Sequence, residues 1–104
     1  MIVPEIDVGE LARRRAAGAV LVDVREPDEW VEVRVPGVQL VPLATVADRI
    51  DQIPVQGPVH VICRSGSRSL RAAEFLRENG IDAVNVAGGT LAWIEAGYDV
   101  ESGA

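Results

Sequence analysis

The sequence predicts an α/β domain organised around a mostly parallel central sheet with helices on both faces. Three observations carry that expectation. Residues 19–24 and 59–63 are short, nearly continuous apolar runs rich in β-branched residues, as expected of strands buried on both faces. Segments of helical spacing alternate with these runs. Glycines stand where those segments stop, at Gly18, Gly80 and Gly97. Strand and helix in alternation is the signature of parallel strands joined by crossover helices.

Taken in order, Asp7 and Glu10 have the spacing of a capping box, and Val8, Leu11, Ala12 and Ala16 keep helical period up to Gly18, predicting a first short helix. Residues 19–24 form the next strand, with Asp23 at its carboxyl end. Pro27 suits the first turn of a short helix running through Trp30, and Pro36-Gly37 marks a turn before a short apolar segment at 39–42. Leu43, Val46, Ala47 and Ile50 again repeat with helical period. Residues 54–58 are a connection, and 59–63 is the central buried strand. A helix over 69–79 turns Leu70, Ala73 and Leu76 inward and shows Arg71, Glu74 and Glu78 to solvent. Residues 83–86 are a further strand, after which Gly88-Gly89 turns into a helix from about Thr90 to Ala96. Trp30 and Trp93 are expected in the core.

The 104 residues carry 16 acidic and 10 basic side chains, a formal net charge of -6, and 48 % are hydrophobic, which fits one soluble domain over residues 1–104. Every basic residue is arginine. Without lysine, Schiff-base enzymes, pyridoxal enzymes and P-loop nucleotide hydrolases are excluded. His60 and Cys63 are the only histidine and cysteine, too few for a soft-ligand zinc or iron-sulfur site within one chain. Oxygen-ligand metals stay open, and no cofactor is expected. A lone cysteine rules out an internal disulfide and suits a reducing compartment, so the expected location is cytoplasmic. The first ten residues lack the basic and apolar segments of a presequence, and no stretch is apolar enough to span a membrane. An acidic chain repels phosphate backbones, so the expected partners are small molecules or proteins, with neither nucleic acid nor membrane.

The chemistry concentrates at residues 63–69. Ligands of parallel α/β sheets gather outside the carboxyl ends of the strands, where Cys63 stands. A lone cysteine at such a place is most often a small hydrophobe, but here Arg64, Ser65, Gly66, Ser67, Arg68 and Ser69 follow. Small residues between a strand and a helix curl so that successive backbone N–H groups point inward, forming an anion-binding nest at a helix amino terminus. Such a setting lowers a cysteine pKa from its free value of about 8.5 and makes Cys63 a candidate nucleophile. Residues 59–72 also hold three arginines and no acid, a local +3, while the other 90 residues sum to -9. The expected substrate is therefore a small anion or a thiolate. Arg68 is the favoured functional arginine, since Arg71 can pair with Glu74 or Glu78 on an exposed helix face. Strand alternation puts His60 and Cys63 on opposite faces, which argues against a Cys-His dyad. Ser65, Ser67 and Ser69 either donate to an anion or cap the helix. Asp23 either bonds active-loop backbone or pairs with Arg25, a supporting role in both cases.

The run Cys63-Arg64-Ser65-Gly66-Ser67-Arg68 resembles the active-site loop of the rhodanese-like sulfurtransferases, whose single cysteine becomes a persulfide. Leu21-Val22-Asp23-Val24-Arg25-Glu26 with Glu29-Trp30 looks like that family's first signature, and Gly88-Gly89 with Trp93 like its carboxyl-terminal element. Together the motifs cover roughly residues 5–100 in the expected order. Arg34 stands where the family usually has histidine, and Leu40 where it commonly has asparagine; Arg34 either substitutes structurally or adds charge near the pocket. Related phosphatases carry five residues between cysteine and arginine, against four between Cys63 and Arg68 here, so the loop looks sized for a sulfur atom rather than a phosphoryl group.

The resemblance implies a rhodanese-like fold and a thiosulfate sulfurtransferase. Cys63 would take the sulfane sulfur of thiosulfate or another persulfide donor and pass it to a thiol or to cyanide. Loop N–H groups from Arg64 to Ser69 would stabilise the persulfide, and Arg68 with Arg64 would orient an anionic donor. The alternative is a sulfur carrier or regulatory interaction module with a protein donor or acceptor.

Overall fold

The computed structural model describes residues 2–104. Its elements are β1 (Glu5–Ile6), α1 (Val8–Ala16), β2 (Val20–Asp23), α2 (Pro27–Glu32), β3 (Gln39–Leu40), β4 (Val59–Ile62), α3 (Ser67–Glu78), β5 (Ala83–Val86) and α4 (Gly89–Glu95). All five strands are parallel, in the order β1-β5-β4-β2-β3. The expected sheet with helices on both faces is thus observed.

Side-chain alternation along the strands divides the core in two. On one face Val22, Val24, Val59, Val61 and Cys63 pack with Ala72, Ala73 and Leu76 of α3 and with Val41, Val46 and Ile53. On the other, Leu21, Ile62 and Val86 cluster with Leu11 of α1, Trp93 of α4, Val35 and Val38, and Trp30 of α2 packs against them. His60 and Cys63 therefore belong to opposite faces.

Most boundaries fall within two residues of expectation. Asp7 caps α1 by accepting from the Glu10 N–H at 2.8 Å, but the Glu10 carboxylate turns to Arg13 and Arg14 instead of closing a reciprocal box. α2 runs two residues past Trp30, and Glu29 accepts from the Glu26 N–H at 3.1 Å at its start. α3 begins at Ser67 because Gly66, at φ 112°, turns the chain straight from the loop into the helix. Along α3, Ala73 and Leu76 are buried as expected, Ser69 and Ala72 are buried too, and Leu70 is half-buried.

Two elements differ. The two-residue β1 has no apolar run to announce it and exists through its pairing with β5, Glu5 opposite Asn85 and Ile6 opposite Val86. The helical period at Leu43 to Ile50 yields only 3-10 turns at Leu43–Thr45 and Ile50–Gln52. The stretch is bounded by Pro42 and Pro54, and the Thr45 hydroxyl donates to the Pro42 carbonyl at 2.8 Å, a local bond that competes with helical pairing. Val46 and Ile53 are buried nonetheless. Among the described residues no helix is long and apolar enough to cross a membrane.

Candidate active site

The loop after β4 is shaped from two sides. The first turn of α4 takes its carbonyls: the Thr90 N–H and hydroxyl donate to the Cys63 carbonyl at 2.9 and 3.0 Å, and the Leu91 N–H to the Arg64 carbonyl at 3.1 Å. With these carbonyls held by α4, the following N–H groups turn toward the Cys63 sulfur. This close approach demands Gly89, where an added Cβ would lie 2.5 Å from the Arg64 oxygen and 2.6 Å from that of Cys63. From β5, the buried Asn85 amide donates to the Gly66 carbonyl at 3.2 Å and to the Glu5 carboxylate at 2.7 Å, tying the loop to β5 and to the edge strand β1.

Cys63 is 1 % exposed. Its sulfur accepts from the Gly66 N–H at 3.1 Å and from the buried Ser69 hydroxyl at 3.2 Å. Burial pushes the thiol pKa up, but hydrogen bonds from the Ser69 hydroxyl and from the N–H groups of Ser69, Gly66 and Ser65 outweigh it and hold the pKa below the ordinary value. Chemically this is a sulfur at the base of a nest whose donors favour the thiolate over the thiol. Ser69 bonds the sulfur, whereas the Ser65 and Ser67 side chains are exposed.

Arg68 has a partner that the sequence does not bring near. Arg68 makes a bidentate pair with Glu29 of α2 at 2.7 and 2.9 Å, which pulls the Glu29 pKa down to about 2 and raises that of Arg68. Asp23 resolves toward its second option: it grips the Arg25 side chain at 2.8 to 3.0 Å, with both residues buried, and Arg25 donates onward to the Val33 carbonyl at 2.7 Å. Arg64 is exposed, and no side-chain partner holds it among the described residues. Arg71 is exposed and, among the described residues, forms no ion pair with Glu74 or Glu78. Beside the loop, Arg25, Glu29, Glu32 and Arg64 line a cavity of about 360 Å³ whose apolar wall includes Leu91 and Ile94.

His60 stands apart from this site. Its Nδ1–H donates to the Val20 carbonyl at 2.9 Å and its Nε2 accepts from Arg14 at 3.0 Å, since a carbonyl only accepts and a guanidinium only donates. Trp93 is buried, with its indole N–H on the Asp99 carbonyl at 2.8 Å, and Trp30 is half-buried. Arg34 proves structural: its guanidinium lies 3.6 Å over the Trp30 ring and donates to the carbonyls of Trp30 and Gly103, and its backbone pairs with Glu101. Leu40 is half-buried on β3, in register with Asp23. Among the described residues no cluster of three or more metal-ligating side chains occurs.

Sequence reasoning missed Glu29, Asn85 and Thr90 as parts of this site. Thr90 could have been found from the Gly88-Gly89 turn, which presents a helix amino terminus next to a neighbouring strand end. Glu29 and Asn85 reach the loop only through the sheet order and carry no local signal.

The rhodanese-like domain family matches residues 7–96 of the chain. A protein from Allochromatium vinosum named "Sulfurtransferase" is 34 % identical over 102 residues, covering 95 % of each chain. A "putative sulfur carrier protein", YrkF of Bacillus subtilis, is 32 % identical over 94 residues, 88 % of this chain and 51 % of that one. The solved structure of a rhodanese-related protein from Thermoplasma volcanium superposes with a TM-score of 0.89 at 32 % identity, covering 94 % of this chain and 97 % of that one.

Proposed function

The chain belongs to the rhodanese-like family of sulfurtransferases, and from that premise we propose that it transfers sulfane sulfur through a persulfide on Cys63. One observation carries the reading: the buried Cys63 sulfur receives converging donors, the Gly66 N–H at 3.1 Å and the Ser69 hydroxyl at 3.2 Å, that favour its anion. In the first step the Cys63 thiolate attacks the outer sulfur of thiosulfate, a new sulfur–sulfur bond forms, and the old one breaks with its electron pair leaving on sulfite. The terminal persulfide anion then occupies the nest and is held by the loop N–H groups. In the second step cyanide or an acceptor thiolate attacks that terminal sulfur, and the Cys63 thiolate departs. No general base is needed when the nucleophile is already ionised. The unpaired Arg64 meets the anionic donor at the cavity, while Arg68 is engaged by Glu29. Asp23 and Arg25 support the loop's surroundings as a buried pair. A cytoplasmic setting, where thiols stay reduced, suits a chain that works through one free cysteine.

A second reading, a carrier that receives sulfur from another protein's persulfide, is favoured by Leu91 and Ile94, 46 % and 41 % exposed at the cavity wall, and by the carrier-like relative. Intact-mass analysis after thiosulfate, then cyanide, tests the first reading. The expected result is a gain of one sulfur atom that cyanide removes and that Cys63→Ser never shows; sulfur uptake by Cys63→Ser would overturn the mechanism. Slow uptake from thiosulfate beside fast uptake from a cysteine desulfurase would select the carrier.

A further inference from the structure

The local +3 of residues 59–72 does not survive folding. Glu29 arrives from α2, 39 positions away in sequence, and engages Arg68 through both guanidinium nitrogens. Asp23 engages Arg25 through the guanidinium Nε and one terminal nitrogen. Arg64 is then the one cation facing the cavity without a carboxylate partner among the described residues, and Glu29 and Glu32 line the same cavity. A dianion entering this space meets two carboxylates against a single uncommitted arginine. An organic group entering it meets Leu91 and Ile94, the exposed apolar side chains on the α4 wall.

From this geometry we infer that Glu29 is a specificity-determining residue: by holding Arg68 as an internal partner it withholds the loop arginine from dianionic donors and tilts the site toward persulfides of organic thiols. The inference rests on the persulfide reading above. For such a donor, R–S–SH, the Cys63 thiolate attacks the terminal sulfur, the donor's sulfur–sulfur bond breaks with its electron pair on R–S, and the proton of the donor moves to that sulfur, giving the Cys63 persulfide anion and R–SH. The leaving thiol carries no formal charge, so this reaction needs no second arginine, whereas departing sulfite does. The Leu91 and Ile94 side chains cover the carbon stem, and Arg64 receives one carboxylate of the donor.

The test compares sulfur loading from thiosulfate and from glutathione persulfide in the wild-type chain, Glu29→Gln, Glu29→Asp and the double variant Glu29→Gln/Arg68→Gln. Sulfate binding to the reduced proteins is measured beside it by calorimetry. Releasing Arg68 from a unit negative charge is expected to raise kcat/KM for thiosulfate by roughly tenfold, mainly through KM, and to tighten sulfate similarly. Glutathione persulfide efficiency should move by less than about twofold, Glu29→Asp should behave as wild type, and the double variant should lose the gain. An unchanged or poorer thiosulfate KM together with unchanged sulfate affinity in Glu29→Gln would overturn the inference while leaving persulfide formation standing. A gain that persists without Arg68 would overturn it too. Tighter sulfate without sulfur uptake from either donor by any of the proteins would instead overturn the persulfide reading and leave Glu29 as the determinant of anion selectivity.

Discussion

Removing the Ser69 hydroxyl isolates one of the donors on the sulfur. The hydroxyl is fully buried and 3.2 Å from the Cys63 sulfur, so Ser69→Ala deletes a hydrogen bond to an ionised acceptor and admits no water in its place. Bonds of this kind contribute about 1.5–3 kcal/mol. The Gly66 N–H remains at 3.1 Å and takes up part of the lost interaction, which points to the low end of that range. About 1.4 kcal/mol corresponds to a tenfold change in equilibrium, so the ionisation constant of Cys63 should fall by roughly tenfold. The sign is fixed: the variant stabilises the thiolate less, binds its proton more tightly, and shifts the ionisation of Cys63 to higher pH. Alkylation by iodoacetamide followed by intact mass across a pH series reads both the rate and its midpoint. Ser67→Ala is the control, since Ser67 is exposed and Cys63 does not use its hydroxyl. A Ser69→Ala midpoint equal to or below that of the wild type would refute the assignment of the hydroxyl as a thiolate donor.

Gly89→Ala should cost about 3 kcal/mol or more, since φ is +60° there and the new Cβ collides with two backbone carbonyls, and it should blunt Cys63 alkylation together with stability in urea; loss of stability alone would sever the link between α4 and the nest. Asp23→Ala leaves Arg25 buried at 3 % exposure without its carboxylate and should destabilise by about 3–5 kcal/mol in urea unfolding, against which a loss below about 1 kcal/mol would count. Burial and the neighbouring Arg14 hold the His60 pKa below its ordinary value, so the unfolded chain takes up the proton first as pH falls. The contribution of His60 is present above about pH 6.5 and lost on acidification below it, giving the wild type a steeper decline between pH 7.5 and 5 than His60→Gln.

What the residues disclose in advance depends on how local the cause is. The strand at 59–63, the small-residue loop and the helix after it are written in consecutive positions, and so is the separation of His60 from Cys63, which follows from alternation along one strand. Arg68 as a cationic loop residue was equally legible, but its partner was not. Glu29 reads as the third residue of a short helix's amino terminus, and only the sheet order that sets β2 beside β4 carries it to the loop. β1 fails for the opposite reason, since two residues have no periodicity and their pairing with β5 supplies everything. The stretch after Pro42 shows a helical spacing of apolar residues that serves burial without a helix, as Val46 and Ile53 demonstrate.

The hold of α4 on the loop also sets an order of events during synthesis. The carbonyls of Cys63 and Arg64 find their donors only when Thr90 and Leu91 exist, and Gly66 is braced by Asn85, itself bound to Glu5 near the opposite end of the chain. Contacts so far apart in sequence close late in folding. A growing or misfolded chain therefore carries the Cys63 sulfur without the donors of the folded loop, which converge on it only when the last helix docks. The setting of the one cysteine is accordingly completed last, by parts of the chain far from it in sequence.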